Sequence, residues 1–134
     1  MRASAVLLVA LAAGSLAGCG RDQPPQGVHD QSGVAGRVSL GPQCTVATRD
    51  NPCRDKPATR SRVVIDKRVQ GVSNAVGAVV ARTTTGANGT YQVAVSPGRY
   101  VVSADAGMSC VPVPARVPAN AYLKVDIHCD TGIR

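Results

Sequence analysis

The sequence lacks three residue types outright: phenylalanine, tryptophan and glutamate. Without Phe or Trp, the only aromatic rings are those of Tyr91, Tyr100 and Tyr122. Any core must therefore be filled by Val and Ala, and β-branched Val favours strands over helix. The scarcity of rings also counts against single-stranded nucleic-acid binding and sugar stacking, both of which rest on aromatic platforms. With no Glu, all eight acidic residues are Asp, and a paired-Glu acid/base device is excluded. Good helix formers concentrate in the first 17 positions, which leaves little that would form a helix elsewhere. Several catalytic signatures are missing too. There is no G-x-S-x-G, H-E-x-x-H, P-loop or dinucleotide fingerprint, and no C-x-x-C. These absences argue for a protein that is not an enzyme and needs no cofactor or metal.

What is present begins with Met1 to Cys19, MRASAVLLVALAAGSLAGC. Arg2 supplies a positive start, and Ala3 to Ala13 is apolar apart from Ser4. This stretch is shorter than the roughly 20 apolar residues a spanning helix needs, and it reads as a secretory signal over residues 1–18. It ends in Leu16-Ala17-Gly18-Cys19, which resembles the bacterial lipobox. The resemblance implies a diacylglyceryl group on the Cys19 thiol, cleavage ahead of it, and a location at the cell membrane or outer membrane on the extracytoplasmic side. Residues 19–33 would then be the lipidated Cys and a polar tether, carrying Pro24-Pro25 and His29. Fourteen such residues reach on the order of 20 Å. A lone tether histidine is a poor metal ligand.

From residue 34 to 134 the hydrophobic period is two. Val34, Gly36, Val38 and Leu40 share a face, as do Val63 and Ile65 in Arg62 to Lys67. Val76 to Thr84 is a Val/Ala run expected to be covered on both faces. Thr90 to Val95 places Tyr91, Val93 and Val95 inward, and Arg99 to Asp105 does the same with Tyr100, Val102 and Ala104. Val113 to Val117 contains Pro114, which predicts an edge strand. Tyr122 to Cys129 turns Leu123, Val125, Ile127 and Cys129 inward. Turn chemistry separates the segments: Asn88-Gly89, the short hairpin loop Ser96-Pro97-Gly98, and Pro118-Ala119-Asn120 joining the last two strands. Seven short strands with regular turns predict an all-β sandwich.

Thr85-Gly86-Ala87-Asn88-Gly89-Thr90-Tyr91-Gln92-Val93, followed by Pro97-Gly98-Arg99-Tyr100-Val101-Val102, resembles the core of carboxypeptidase regulatory-like domains. The opening Gly36-Arg37-Val38 is similar to that family's first strand. The resemblance implies a prealbumin-like (transthyretin-like) seven-stranded Greek-key sandwich and carries no catalytic residues. The lack of Phe and the connection over residues 68–75 depart from the pattern.

Cys19 apart, four cysteines remain, an even number suited to an oxidising compartment. A final hairpin turning about Ala119 and Asn120 would set Cys110 opposite Cys129. Cys44 and Cys53 bracket a short loop. The expected disulfides are therefore Cys44–Cys53 and Cys110–Cys129; neither spacing fits a zinc pattern. His128, beside Asp126 and Asp130, reads as a solvated strand histidine. Pairing it with Ser103 or Ser109 would imitate a hydrolase triad, which nothing else in the pattern supports.

The net charge is +7. Export and the few aromatics argue against nucleic acid, so the partners expected are a membrane, through the lipid, and an envelope polymer or protein. Arg49, Arg54, Lys56, Arg60, Arg62, Lys67 and Arg68 outnumber Asp50, Asp55 and Asp66 in one stretch. They form a candidate contact for anionic lipid or wall material. The functional expectation is a non-enzymatic, membrane-anchored surface lipoprotein acting as a structural or interaction module. The alternative is an extracytoplasmic binder of a small ligand, carbohydrate or anionic envelope polymer. The sequence sets no oligomeric state.

Overall fold

The computed structural model describes residues 31–71 and 75–134. The expected signal segment, Cys19, His29 and the expected tether up to residue 30 lie outside the described residues, as do residues 72–74 of the connection over 68–75. The described chain is all-β and contains no helix. Its strands are β1 (Gly33–Gly41), β2 (Lys56–Pro57), β3 (Arg62–Arg68), β4 (Val76–Thr84) and β5 (Thr90–Ala94), followed by β6 (Gly98–Asp105), β7 (Ser109–Cys110), β8 (Val113–Val117), β9 (Tyr122–Lys124) and β10 (Ile127–Asp130). Ten strand segments thus replace the seven expected. β2 and β7 are two-residue additions, and the expected strand over 122–129 is split into β9 and β10.

The strands form two sheets. The first has β1 at its centre, flanked on one side by β5 and β2 and on the other by β9 and β10, with β7 beyond β10. The second runs β4–β3–β6–β8. The two pack through the inward positions that the alternation marks. Val34, Val38, Val63, Ile65, Val102, Ile127 and Cys129 are fully buried, with Tyr91 and Tyr100 among them. Each buried Val or Ile contributes about 1.5–3 kcal/mol. Two of the chain's three aromatic rings are buried with their polar ends satisfied. Tyr91 donates its hydroxyl to the Val125 carbonyl at 2.7 Å, and Tyr100 donates to the Ser96 carbonyl at 2.6 Å, closing the turn four residues upstream.

The expected edge position of Pro114 is found: β8 ends the second sheet, with Pro114 opposite Val101. Three expectations are corrected. The run Val76 to Thr84 is not covered on both faces. β4 is the other edge of the second sheet, and Val76, Val79 and Val80 are 54%, 42% and 45% exposed. A Val/Ala run has the same pattern in a covered strand and at an edge. What sets β4 apart is its partnership with β3 alone, loosened by register shifts around Asp66.

The loop Ser96-Pro97-Gly98 is not a hairpin. β5 lies in the first sheet and β6 in the second, so the loop crosses between layers. Likewise, Pro118 to Ala121 carries the chain from β8 in the second sheet to β9 in the first, and the final hairpin does not exist. β9 and β10 instead run parallel to β1, pairing Val34 with Leu123 and Val38 with Ile127.

The two pieces are separated where Gly36 and Arg37 pass Val125 and Asp126. The Asp126 carboxylate accepts the Arg37 backbone N–H at 2.9 Å, in place of a ladder carbonyl.

Candidate functional site

Both expected disulfides are present. Cys44–Cys53 closes an exposed loop between β1 and β2. Cys110–Cys129 joins β7 to β10, where the two residues are direct antiparallel partners, with Cα atoms 4.0 Å apart. The pairing inferred from a final hairpin is therefore correct, but the ladder that carries it is β7 on β10 rather than β8 on the last strand.

The end of the first sheet near these staples gathers several polar groups. His128 stands on the outer side of β10, and its Nδ1 lies 3.2 Å from an Asp55 carboxylate oxygen and 3.4 Å from the Ser39 hydroxyl. Ser39 is its direct partner across the β1–β10 ladder. A nucleophile–base–acid relay places its two partners on opposite ring nitrogens, whereas here both crowd one nitrogen. The arrangement ties the segment bearing Asp55 to the sheet. Ser103 and Ser109 are not contacts of His128. Just beyond, Asp130 is held in a fork by Arg134, at 2.9 and 3.2 Å, and accepts the Gly132 N–H at 2.7 Å. These bonds, together with the positive charge nearby, lower its pKa to about 2.

An open cleft of about 830 Å³ lies where β1, β5 and the break between β9 and β10 meet the end of β4. Its lining includes Arg37, Thr84, Tyr91, Gln92, Lys124 and Asp126. The Tyr91 hydroxyl is committed to Val125, and burial followed by the Asp126 charge raises its pKa, so it stays protonated. Lys124 pairs with Asp126 at 3.3 Å, and the second Asp126 oxygen takes the Arg37 N–H. The Tyr91, Lys124 and Asp126 side chains are thus engaged with one another or with the backbone in a polar-lined concavity.

The seven basic residues of the 49–68 stretch do not form one patch. Arg49 lies within the Cys44–Cys53 loop and Arg54 directly after it, and Lys56 sits on β2 opposite Leu40. Arg60 occupies a turn with positive φ between the two sheets. Arg62 and Arg68 stand at opposite ends of β3, roughly 20 Å apart along the strand. Lys67 points to the other face from both.

The residues of the Thr85–Val102 motif prove to be structural. Buried Thr85 takes the Ser61 N–H on its hydroxyl at 2.8 Å and gives its proton to the Ala58 carbonyl. Gly89 has φ of 75°, and its carbonyl accepts the Val38 N–H. The Asp55–His128 clamp has no signal in the sequence, because its partners are 73 positions apart. Compared with protein-family models, with curated proteins and with solved structures, the chain matches none.

Proposed function

We propose that this chain is a non-enzymatic surface lipoprotein: exported, lipidated on Cys19, and held at the extracytoplasmic face of a membrane. There its β-sandwich serves as a structural or interaction module. One observation carries the reading. Cys19 follows an apolar run and small residues in Leu16-Ala17-Gly18-Cys19, and it is the odd cysteine once the other four are paired. Two or three acyl chains, at about 0.8 kcal/mol per buried CH₂, would hold such a protein stably, where a single chain holds only marginally.

We also propose that the sandwich is of the prealbumin-like Greek-key type. Two features support this: the chain changes sheet at every step from β4 to β9, and Thr85, Gly89 and Tyr100 of the shared motif act at such crossings. The alternative, an extracytoplasmic binder, draws its support from the polar cleft beside β1.

The test of anchoring is Cys19→Ala in the full chain, expressed in a bacterial host. The variant moves from the membrane pellet to the soluble fraction, and the mass of the wild-type protein exceeds that of its polypeptide by the acyl groups. A wild type without lipid mass, or a variant that stays in the pellet, refutes the anchor.

A further inference from the structure

The outer face of the second sheet carries a row of three arginines on three adjacent strands. Arg99 of β6 and Arg116 of β8 are direct antiparallel partners. On the other side of β6, Lys67 pairs with Tyr100, so the next position sets Arg68 of β3 beside Arg99. All three are exposed and alternate with inward Tyr100 and Ala115, so their side chains leave the same face. They line one groove of about 270 Å³ together with Pro114 and Ala115. One step along the same face, Val101 is only 4% exposed although it is not part of the core cluster, so outer-face side chains lie over it. Long arginine stems readily cover apolar surface of this kind while the guanidinium stays in water.

Like charges directly opposite across a ladder destabilise a sheet. Here three stand in a line, and no ion pair among the described residues neutralises them. The ion pairs among the described residues are Lys124–Asp126, His128–Asp55 and Arg134–Asp130. Asp66, on the same face and one step along, forms no ion pair within 4.0 Å with any of the three. Neighbouring strands are about 4.8 Å apart, so the row spans roughly 10 Å. Adjacent guanidinium forks at that spacing can share the oxygens of one tetrahedral anion. Arginine's planar donors suit phosphate in particular, because they bond two of its oxygens at once.

We propose that Arg68, Arg99 and Arg116 form a phosphate-binding site on the outer face of the β4–β3–β6–β8 sheet. The ligand group is a phosphate with at least two free oxygens, whether carried by a soluble molecule or by a lipid headgroup. The site belongs to the sandwich and does not depend on the Cys19 anchor: Cys19→Ala leaves it intact, so anchoring and phosphate binding fail separately.

The experiment uses the full chain carrying Cys19→Ala in 0.15 M NaCl. One arm titrates inorganic pyrophosphate by calorimetry. The other measures co-sedimentation with phosphatidylcholine vesicles containing phosphatidic acid. Arg99→Gln and Arg116→Gln are compared with Arg62→Gln, which removes the same charge at the far end of β3. The site predicts binding in at least one arm, weakened about tenfold or more by Arg99→Gln and by Arg116→Gln and changed less than about twofold by Arg62→Gln. Binding in the pyrophosphate arm assigns a soluble source, and binding only in the vesicle arm assigns a headgroup. Without phosphate, Arg99→Gln melts no lower than the parent, because it removes a like-charge contact; where pyrophosphate binds, it raises the melting temperature of the parent and of Arg62→Gln more than that of Arg99→Gln. No binding in either arm overturns the proposal, as does equal weakening by Arg62→Gln, which would reduce the effect to net charge.

Discussion

Gly36 lies so close to the carbonyl group of Val125 that no side chain fits between them. The same carbonyl receives the Tyr91 hydroxyl, and the next residue, Asp126, receives the Arg37 N–H. This small knot is where the chain's first strand and its last lie side by side, and it divides β9 from β10. Gly36→Ala must push Val125 away from β1 or displace β1 itself. We expect a loss of about 3 kcal/mol, seen as a fall in melting temperature on the order of 15 °C. A variant that melts within about 2 °C of the wild type would show that the two strands separate freely at this point.

Thr85 carries a second local dependence. Its hydroxyl both accepts the Ser61 N–H and donates to the Ala58 carbonyl, at 3% exposure. Thr85→Val keeps the volume but leaves a buried donor and a buried acceptor unpaired. Urea unfolding should register a loss of about 1–3 kcal/mol, while Thr85→Ser, which keeps the hydroxyl, retains most of it. Equal losses in the two variants would assign the effect to the methyl group rather than to the hydrogen bonds.

Much of this was legible in the sequence, and the limits have physical causes. Alternation picked out the inward faces of β1, β3, β5 and β6 and of the β9–β10 stretch, because burial on one face writes itself into a period of two. Pro114 marked β8 as an edge, since a missing N–H is tolerated there. Strand partners were harder to read. Ser96-Pro97-Gly98 has the residues of a tight turn, but a tight turn serves a crossing between sheets as well as a hairpin. The exposure of β4 was hidden because Val76 to Val80 has no polar alternation to reveal an open side. Clusters built across the sheets were the least visible. Asp55 meets His128, and Arg68 meets Arg99, only through register, which no local pattern encodes.

The two disulfides should differ in worth. Closing loops with separations of 9 and 19 residues removes about 2.5 and 3 kcal/mol of unfolded-chain entropy respectively. Cys129 is also fully buried in the core, whereas Cys44 and Cys53 lie in an exposed loop. Replacing Cys110 and Cys129 together by Ala should therefore cost more than replacing Cys44 and Cys53, because a void in the core adds to the entropic loss. Denaturant unfolding of the two double variants measures the difference. Under mild reductant, a peptide map should show Cys44–Cys53 opening first. A Cys44/Cys53 double variant that is the less stable of the two would contradict this ranking.

The last prediction concerns acid. Asp130 is held ionised first by the Arg134 guanidinium, then by the Gly132 N–H, with further attraction from the charges of Arg134 and His128. Its pKa is about 2 in the folded chain against an ordinary 3.8. A carboxylate with a lowered folded pKa contributes stability that is fully present above its unfolded pKa and disappears as pH falls through the folded one. The window therefore runs from about pH 4 down to about pH 2. Asp130 also sits at a junction: its own carbonyl accepts the Met108 N–H at 2.8 Å, and Thr131 binds back to Gly41 and Pro42. Protonating it should loosen this junction beside the β7–β10 pair before the rest of the sandwich. Carboxyl carbon shifts followed by NMR between pH 1.5 and 6 should show Asp130 titrating near pH 2, well below its ordinary 3.8. In Arg134→Ala its midpoint should rise toward 4, and the loss of stability between pH 4 and 2 should become shallower. An Asp130 midpoint near 4 in the wild type would mean that the Arg134 fork does not persist in solution.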